Sequence, residues 1–172
     1  MAFYSAIALV WRIKLCEILA MACAPTGAAF TLVTLATGSI WGKPMWGTYW
    51  VWDARLTSTL ILLFLYIGYM SLRAAIEDER RADRASAVLA IVGVVNVPII
   101  YFSVKWWNTL HQGASVSLTK APSMAATMLA GMLVMALAFW MYSIAAALAR
   151  TRMIMLEREH NTRWARQLLG TA

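Results

Sequence analysis

Charge is what this sequence lacks. Only 13% of its residues are Asp, Glu, Lys or Arg, while 62% are hydrophobic; an ordinary soluble domain is about a quarter charged. The deficit is concentrated in runs. No charged residue occurs between Glu17 and Lys43, from Leu56 to Leu72, from Ala85 to Val104, or from Ala121 to Ala149. Each run meets or approaches the ~17–25 residues that carry a helix across the hydrocarbon core. Lipid offers backbone amides no hydrogen-bond partner, so such a run must be helical. Uncharged runs of this length also exclude a β-barrel, whose strands are shorter and alternate. Cysteine is scarce too: Cys16 and Cys23 are the only two. On one helix they stand about 10 Å apart, beyond disulfide reach, and no Cys or His pair accompanies them to hold a metal. Missing as well are a Ser/His/Asp or Cys/His set, paired intramembrane carboxylates and a nucleotide-binding loop. An enzyme is therefore not expected.

What is present predicts an all-α, polytopic membrane bundle of four full spans plus a short N-terminal helix. Residues 1–150 form one membrane domain and 151–172 a basic tail. The first helix is the stub Met1–Trp11, read as the end of a helix that begins outside this chain; it has neither a basic start nor a cleavage pattern and is a poor signal peptide. The second runs from about Ile18 to Ile40, with Pro25 and Gly27 predicting a kink. The third spans Leu56–Leu72, the fourth Ala85–Val104 with Asn96 and Pro98 inside it, and the fifth Met124–Ala149. Gly131, with Ala125, Ala126 and Ala130, suits helix packing. Between the third and fourth helices, Arg73–Arg84 mixes both signs and reads as a solvated helical extension with pairs such as Glu77–Arg81.

The net charge of +7 comes from eleven Arg and four Lys against eight acids. It reads as topology rather than nucleic-acid binding, because its distribution alternates. Arg12 with Lys14, then Arg73, Arg80, Arg81 and Arg84, then Arg150, Arg152, Arg158, Arg163 and Arg166 fall in alternate connections. The intervening ones hold only Lys43 with Arg55, and Lys105 with Lys120. Basic residues collect on the cytoplasmic side. The tail is thus expected in the cytoplasm and the loops 41–55 and 105–123 outside.

Those two outer loops carry the unusual chemistry. The first holds Trp41, Trp46, Tyr49, Trp50 and Trp52, interrupted by Gly42, Pro44 and Gly47, which forbid one long regular helix. Aromatic residues crowd membrane interfaces for their amphipathic rings, but an ordinary belt needs one or two. The alternative is a flat aromatic platform for a planar apolar ligand. Asp53 and Arg55 close the loop, as an interfacial ion pair, or with Asp53 or Thr57 capping the third helix, or with Arg55 meeting a ligand carboxylate. The second loop brings Trp106 and Trp107 close before His111. A loop histidine is most often simply hydrogen-bonded; beside an aromatic platform and a cation it has the chemistry of an axial ligand to heme iron. His160 lies in the basic tail and reads as surface.

Taken together, Trp41-Gly-x-x-x-Trp46-Gly-x-x-Trp50-x-Trp52-Asp53-x-Arg55-Leu-Thr resembles the tryptophan-rich signature of the heme-handling membrane proteins of cytochrome c biogenesis. Asn96-x-Pro98 followed by Trp106-Trp107-Asn-Thr-Leu-His111-Gln is similar to one branch, the heme exporter protein C family. The likeness extends from about Ile7 onward. It implies a protein of the bacterial inner membrane, or its mitochondrial counterpart, that binds heme b at the outer face and passes it to a membrane-anchored heme chaperone. It also implies assembly with the ATPase and membrane subunits of an ABC transporter and a small single-span subunit. His111 matches one of the family's two axial histidines. The other falls in a segment upstream of Met1, as does the first of the family's six membrane helices. The expected ligand-binding set is Trp41, Trp46, Trp50, Trp52, Asp53, Arg55, Trp106, Trp107 and His111, with Lys43 a further cation for the propionates. The competing expectation is a structural or permease subunit that binds no heme.

Overall fold

The computed structural model describes residues 1–107, 109–113, 115–116 and 121–169; Asn108, Lys120 and the last residues of the expected tail lie outside them. The described residues are helical, without strands: α1 (Ala2–Trp11), α2 (Lys14–Trp46), α3 (Ala54–Ala75), α4 (Glu79–Val94), α5 (Asn96–Trp106), α6 (Ala126–Arg158) and α7 (Arg163–Leu169). Four stretches are long and apolar enough to cross a membrane: α2, α3, α4 with α5, and α6. With the short α1 these are the expected four spans and stub.

Helix ends differ from the sequence expectation in an informative way. The helix expected to stop at Ile40 continues to Trp46, through Gly42 and Pro44. Pro44 lacks only its own amide donor, and the helix simply runs on past that missing bond. Its 33 residues make it about 50 Å long at ~1.5 Å per residue, far longer than the ~30 Å hydrocarbon core. Trp41 and Trp46 therefore stand on the last turns of α2 rather than in a loop. Termination comes at Gly47, whose φ of 79° is the left-handed cap that glycine adopts without Cβ conflict. The expected fourth helix is instead two. Pro98 cannot donate to the Val94 carbonyl, and a one-residue break at Val95 separates α4 from α5. Asn96 spans the discontinuity by donating Nδ2 to the Ser58 carbonyl of α3, 2.7 Å away.

Packing relies on small side chains. Ala20, Ala22, Ala24 and Ala28 of α2, Ala82, Ala87 and Ala90 of α4, and Ala8 of α1 are buried. In lipid there is no hydrophobic drive between helices, so close backbone approach supplies the attraction. α2 is the hub, contacting α1, α3 and α6, while α3 bridges α2 to α4 and α5. α6 stands apart: it packs on α2, where Phe30 meets Phe139 and Tyr142 at 5.5 and 6.0 Å between ring centres. Its membrane-length window is otherwise unburied. Gly131 there meets no neighbour among the described residues, so its small-residue face is not packed against them.

The segment Arg73–Arg84 is largely exposed and helical from Glu79, as expected, but its pairing differs. α4 begins at Glu79, leaving Glu77 outside the helix, and Glu77–Arg81 is not among the ion pairs of the described residues. Asp83 instead turns inward and is 8% exposed. It pairs with Arg73 at the end of α3 and with Arg158 at the end of α6, the latter at 3.3 Å. Arg158 also reaches Glu79 at 3.7 Å. A buried carboxylate is tolerated only when cations and hydrogen bonds replace its lost water, and two guanidiniums do so here. Cys16 and Cys23 are both free thiols.

Candidate ligand-binding site at the aromatic end

At the opposite end of the bundle, the C-terminus of α2, the N-terminus of α3 and the segment after α5 converge. The seven residues from Gly47 to Asp53 are a turn held by local bonds: Thr48 Oγ1 donates to the Trp50 carbonyl (3.1 Å), and the Asp53 amide donates to the Val51 carbonyl (2.8 Å). Lys43 donates to the Gly47 carbonyl at 3.2 Å and lies 5.1 Å from the Tyr49 ring centre. A cation at a helix C-terminus complements its dipole, so Lys43 is committed to ending α2.

Asp53 is the pivot. Its Oδ1 accepts from the Leu56 amide at 2.7 Å, capping α3. Its Oδ2 lies 2.6 Å from His111 Nδ1, a contact between residues 58 positions apart. Asp53 is 8% exposed, so this is a partly dehydrated carboxylate–imidazole pair. A carboxylate on Nδ1 fixes the proton there and orients the ring, leaving the Nε2 lone pair for a metal. Sequence reasoning offered Asp53 as a cap or as a partner of Arg55. The cap is present; the second carboxylate oxygen meets the His111 ring, and Arg55 has no ion pair among the described residues.

Trp46 lies beside this pair, its ring centre 4.7 Å from that of the imidazole and inclined by 66°. Gly42 makes room for it: a Cβ there would stand 3.1 Å from the Trp46 ring. Trp41 packs on Trp46 edge-on at 5.3 Å and 86°. Trp50 and Trp52 form a second edge-on pair at 5.5 Å and 75°. Trp106 stacks on Phe102 at 5.1 Å and 17°, with Trp107 at its edge. The nine tryptophan-motif and loop residues singled out from sequence thus divide. Trp41, Trp46, Asp53 and His111 form one connected cluster, Trp50 with Trp52 a second, Trp106 with Trp107 a third, and Arg55 is in none. The tryptophan pairs meet edge-on, as their quadrupoles favour, and only Trp106 on Phe102 is stacked, so the described tryptophans do not share one flat platform. Open ring surface remains, with Trp52 74% and Trp106 60% exposed. One donor is left over: the buried Trp50 Nε1 has no hydrogen-bond partner among the described residues, although buried donors are normally paired.

Among the described residues no group of three His, Cys, Asp or Glu side chains could enclose a metal ion. The donor set is one imidazole amid aromatic rings and cations. That chemistry fits a metal arriving inside a macrocycle which supplies its other ligands.

Comparison with known proteins agrees in kind. The sequence-family model described as heme exporter protein C matches residues 1–166. A relative named heme exporter protein C in Haemophilus influenzae is 47% identical over 171 residues, covering 99% of this chain and 70% of its own length. Its namesake in Bradyrhizobium diazoefficiens is 55% identical over 150 residues, covering 87% of this chain and 57% of its own length. That of Escherichia coli K12 is 58% identical over 115 residues, covering 67% and 47%. The alignments thus take in from about half to 70% of those relatives' lengths.

Proposed function

The chain belongs to the heme exporter protein C family, and from that premise we propose that it binds heme b at the aromatic end and hands it to a membrane-anchored heme chaperone for c-type cytochrome assembly. The observation that carries the proposal is the His111–Asp53 contact at 2.6 Å. It engages Nδ1 and directs Nε2 toward a ligand, beside the Trp46 ring. Heme is cargo here, and its iron would supply the coordination that His111 seeks. The residues' part is binding and orientation. His111 ligates from one side while the exposed faces of Trp41, Trp52, Trp106 and Trp107 cover porphyrin edges. Arg55, without an ion pair of its own, meets a propionate; Lys43, already bonded to Gly47, contributes less. The indole N–H of Trp50, unpaired among the described residues, is a donor that a ligand acceptor could meet. No covalent step on this chain is required, so the role is delivery rather than catalysis.

The same reading puts the aromatic end on the periplasmic face of the inner membrane and the arginine-rich end in the cytoplasm. The charge alternation supports this, since the described cations at the aromatic end are only Lys43, Arg55 and Lys105. α6, whose membrane-length stretch is unburied and which contacts α2 and, through Arg158, α4, suits the membrane and ATPase-linked subunits of an ABC transporter and a single-span partner. That bare surface also favours the second reading, an assembly subunit without heme. The visible spectrum separates them. Purified protein carrying heme with a Soret band, lost or shifted in His111→Ala while the complex still assembles, supports delivery. Absence of heme from an intact, assembled protein overturns it.

A further inference from the structure

The arginine-rich end holds a cavity of roughly 460 Å³ between α1, the start of α2 and α4. Four cations line it: Arg12, Lys14, Arg80 and Arg84. None has a carboxylate partner among the described residues. Two acids also line it, but they do not cancel the cations. Asp83 is already matched by Arg73 and Arg158, which leaves Glu17 against four. The floor is apolar, formed by Ala8, Leu9 and Ala87. Two of the cations are brought there by an unusual link. Arg12 adopts φ 54°, ψ 39° at the end of α1, a left-handed conformation that non-glycine residues rarely take. This reversal joins α1 to α2 in two residues and sets Arg12 and Lys14 on one rim. Such strain persists where the surroundings over-determine it, and it is often found at binding positions.

We infer that this cavity binds the phosphate headgroup of an anionic phospholipid. The ligand must be anionic at one end and apolar at the other, because the lining is. Its depth is that of lipid phosphates, since the cations sit where membrane-length helices end, and basic pockets between membrane helices select anionic headgroups. Heme would fit the charge pattern less well: no histidine, cysteine, methionine or aromatic ring lines the cavity. The inference is independent of the ligand bound at the aromatic end.

The test uses the full protein purified in detergent, with phosphatidylglycerol, phosphatidylcholine or inorganic phosphate added separately. Native mass spectrometry reads retained lipid and a thermal melt reads stabilisation by linkage. Phosphatidylglycerol is expected to be retained and to raise the melting temperature, with little effect from the other two. Arg12→Gln with Arg84→Gln removes two cations and is expected to weaken retention roughly thirtyfold, at the strength of interfacial charge pairing. The lysine counterparts Arg12→Lys and Arg84→Lys keep the charge and are expected to retain binding, which separates loss of the site from loss of fold. Equal retention of phosphatidylcholine, or unchanged phosphatidylglycerol binding in the glutamine double variant, overturns the inference. Equal stabilisation by inorganic phosphate overturns the lipid as the source of the anion.

Discussion

Two aspartates, equally buried at 8% exposure, stand at opposite ends of this bundle and differ in their company. Asp83 is enclosed by the guanidiniums of Arg73 and Arg158. Both partners are permanent cations, and together they tie the ends of α3 and α6 to α4. Asp53 is shared between a backbone amide of α3 and the imidazole of His111. Its side-chain partner is neutral or cationic according to its proton, and has a second nitrogen to spare. The first arrangement is closed and structural. The second leaves one imidazole nitrogen outside the contact with Asp53, as the proposed ligand role requires.

The largest difference between the ends is expected on replacing the open partner. His111→Ala should abolish the heme Soret band or change it to a different ligation pattern, while helix content by circular dichroism is kept. A closed structural site predicts the reverse. Asp83→Ala should lower stability by about 3–5 kcal/mol, the usual cost of stranding buried charges, and leave the heme spectrum of the folded fraction unchanged. A spectral change there would mean that the two ends are coupled.

Asp53→Asn sharpens the contrast within one residue. Asparagine keeps an oxygen for the Leu56 amide, so the cap survives and melting should move little. Loss of the carboxylate on Nδ1 should weaken heme binding by about 10–100-fold, as second-layer partners of metal-binding histidines do. Equal affinity in a heme titration would reduce Asp53 to a cap. The smallest effect is expected away from both ends. Asn96→Leu removes the bond to Ser58 and should cost about 0.6–1.7 kcal/mol, measured by unfolding in detergent.

Much of the bundle was legible in the sequence because its cause is local. Charge-free runs define spans, and the spans fall where Glu17–Lys43, Leu56–Leu72, Ala85–Val104 and Ala121–Ala149 placed them. Helix ends were less legible. Gly42 and Pro44 read as breakers, yet α2 passes through both because Gly47, not they, has the left-handed cap. Pro98 did break its helix, since its missing amide falls opposite Val94. Least legible were the pairings that make the two ends different. His111 with Asp53, and Asp83 with Arg158, join residues 58 and 75 positions apart. No spacing rule reaches that far. The aromatic motif suggested a ligand site, which remains a proposal, but not that its tryptophans would meet edge-on in three groups.

Imidazole rescue tests the central claim most directly. In His111→Gly, added imidazole can occupy the vacated space beside Asp53 and Trp46 and ligate iron in the histidine's place. The visible spectrum of the heme-loaded variant should lose the wild-type Soret position and regain it as imidazole is titrated in. A wild-type spectrum before any imidazole is added, or no recovery at saturating imidazole in a folded and assembled variant, would contradict the assignment of His111 as the ligand to heme iron.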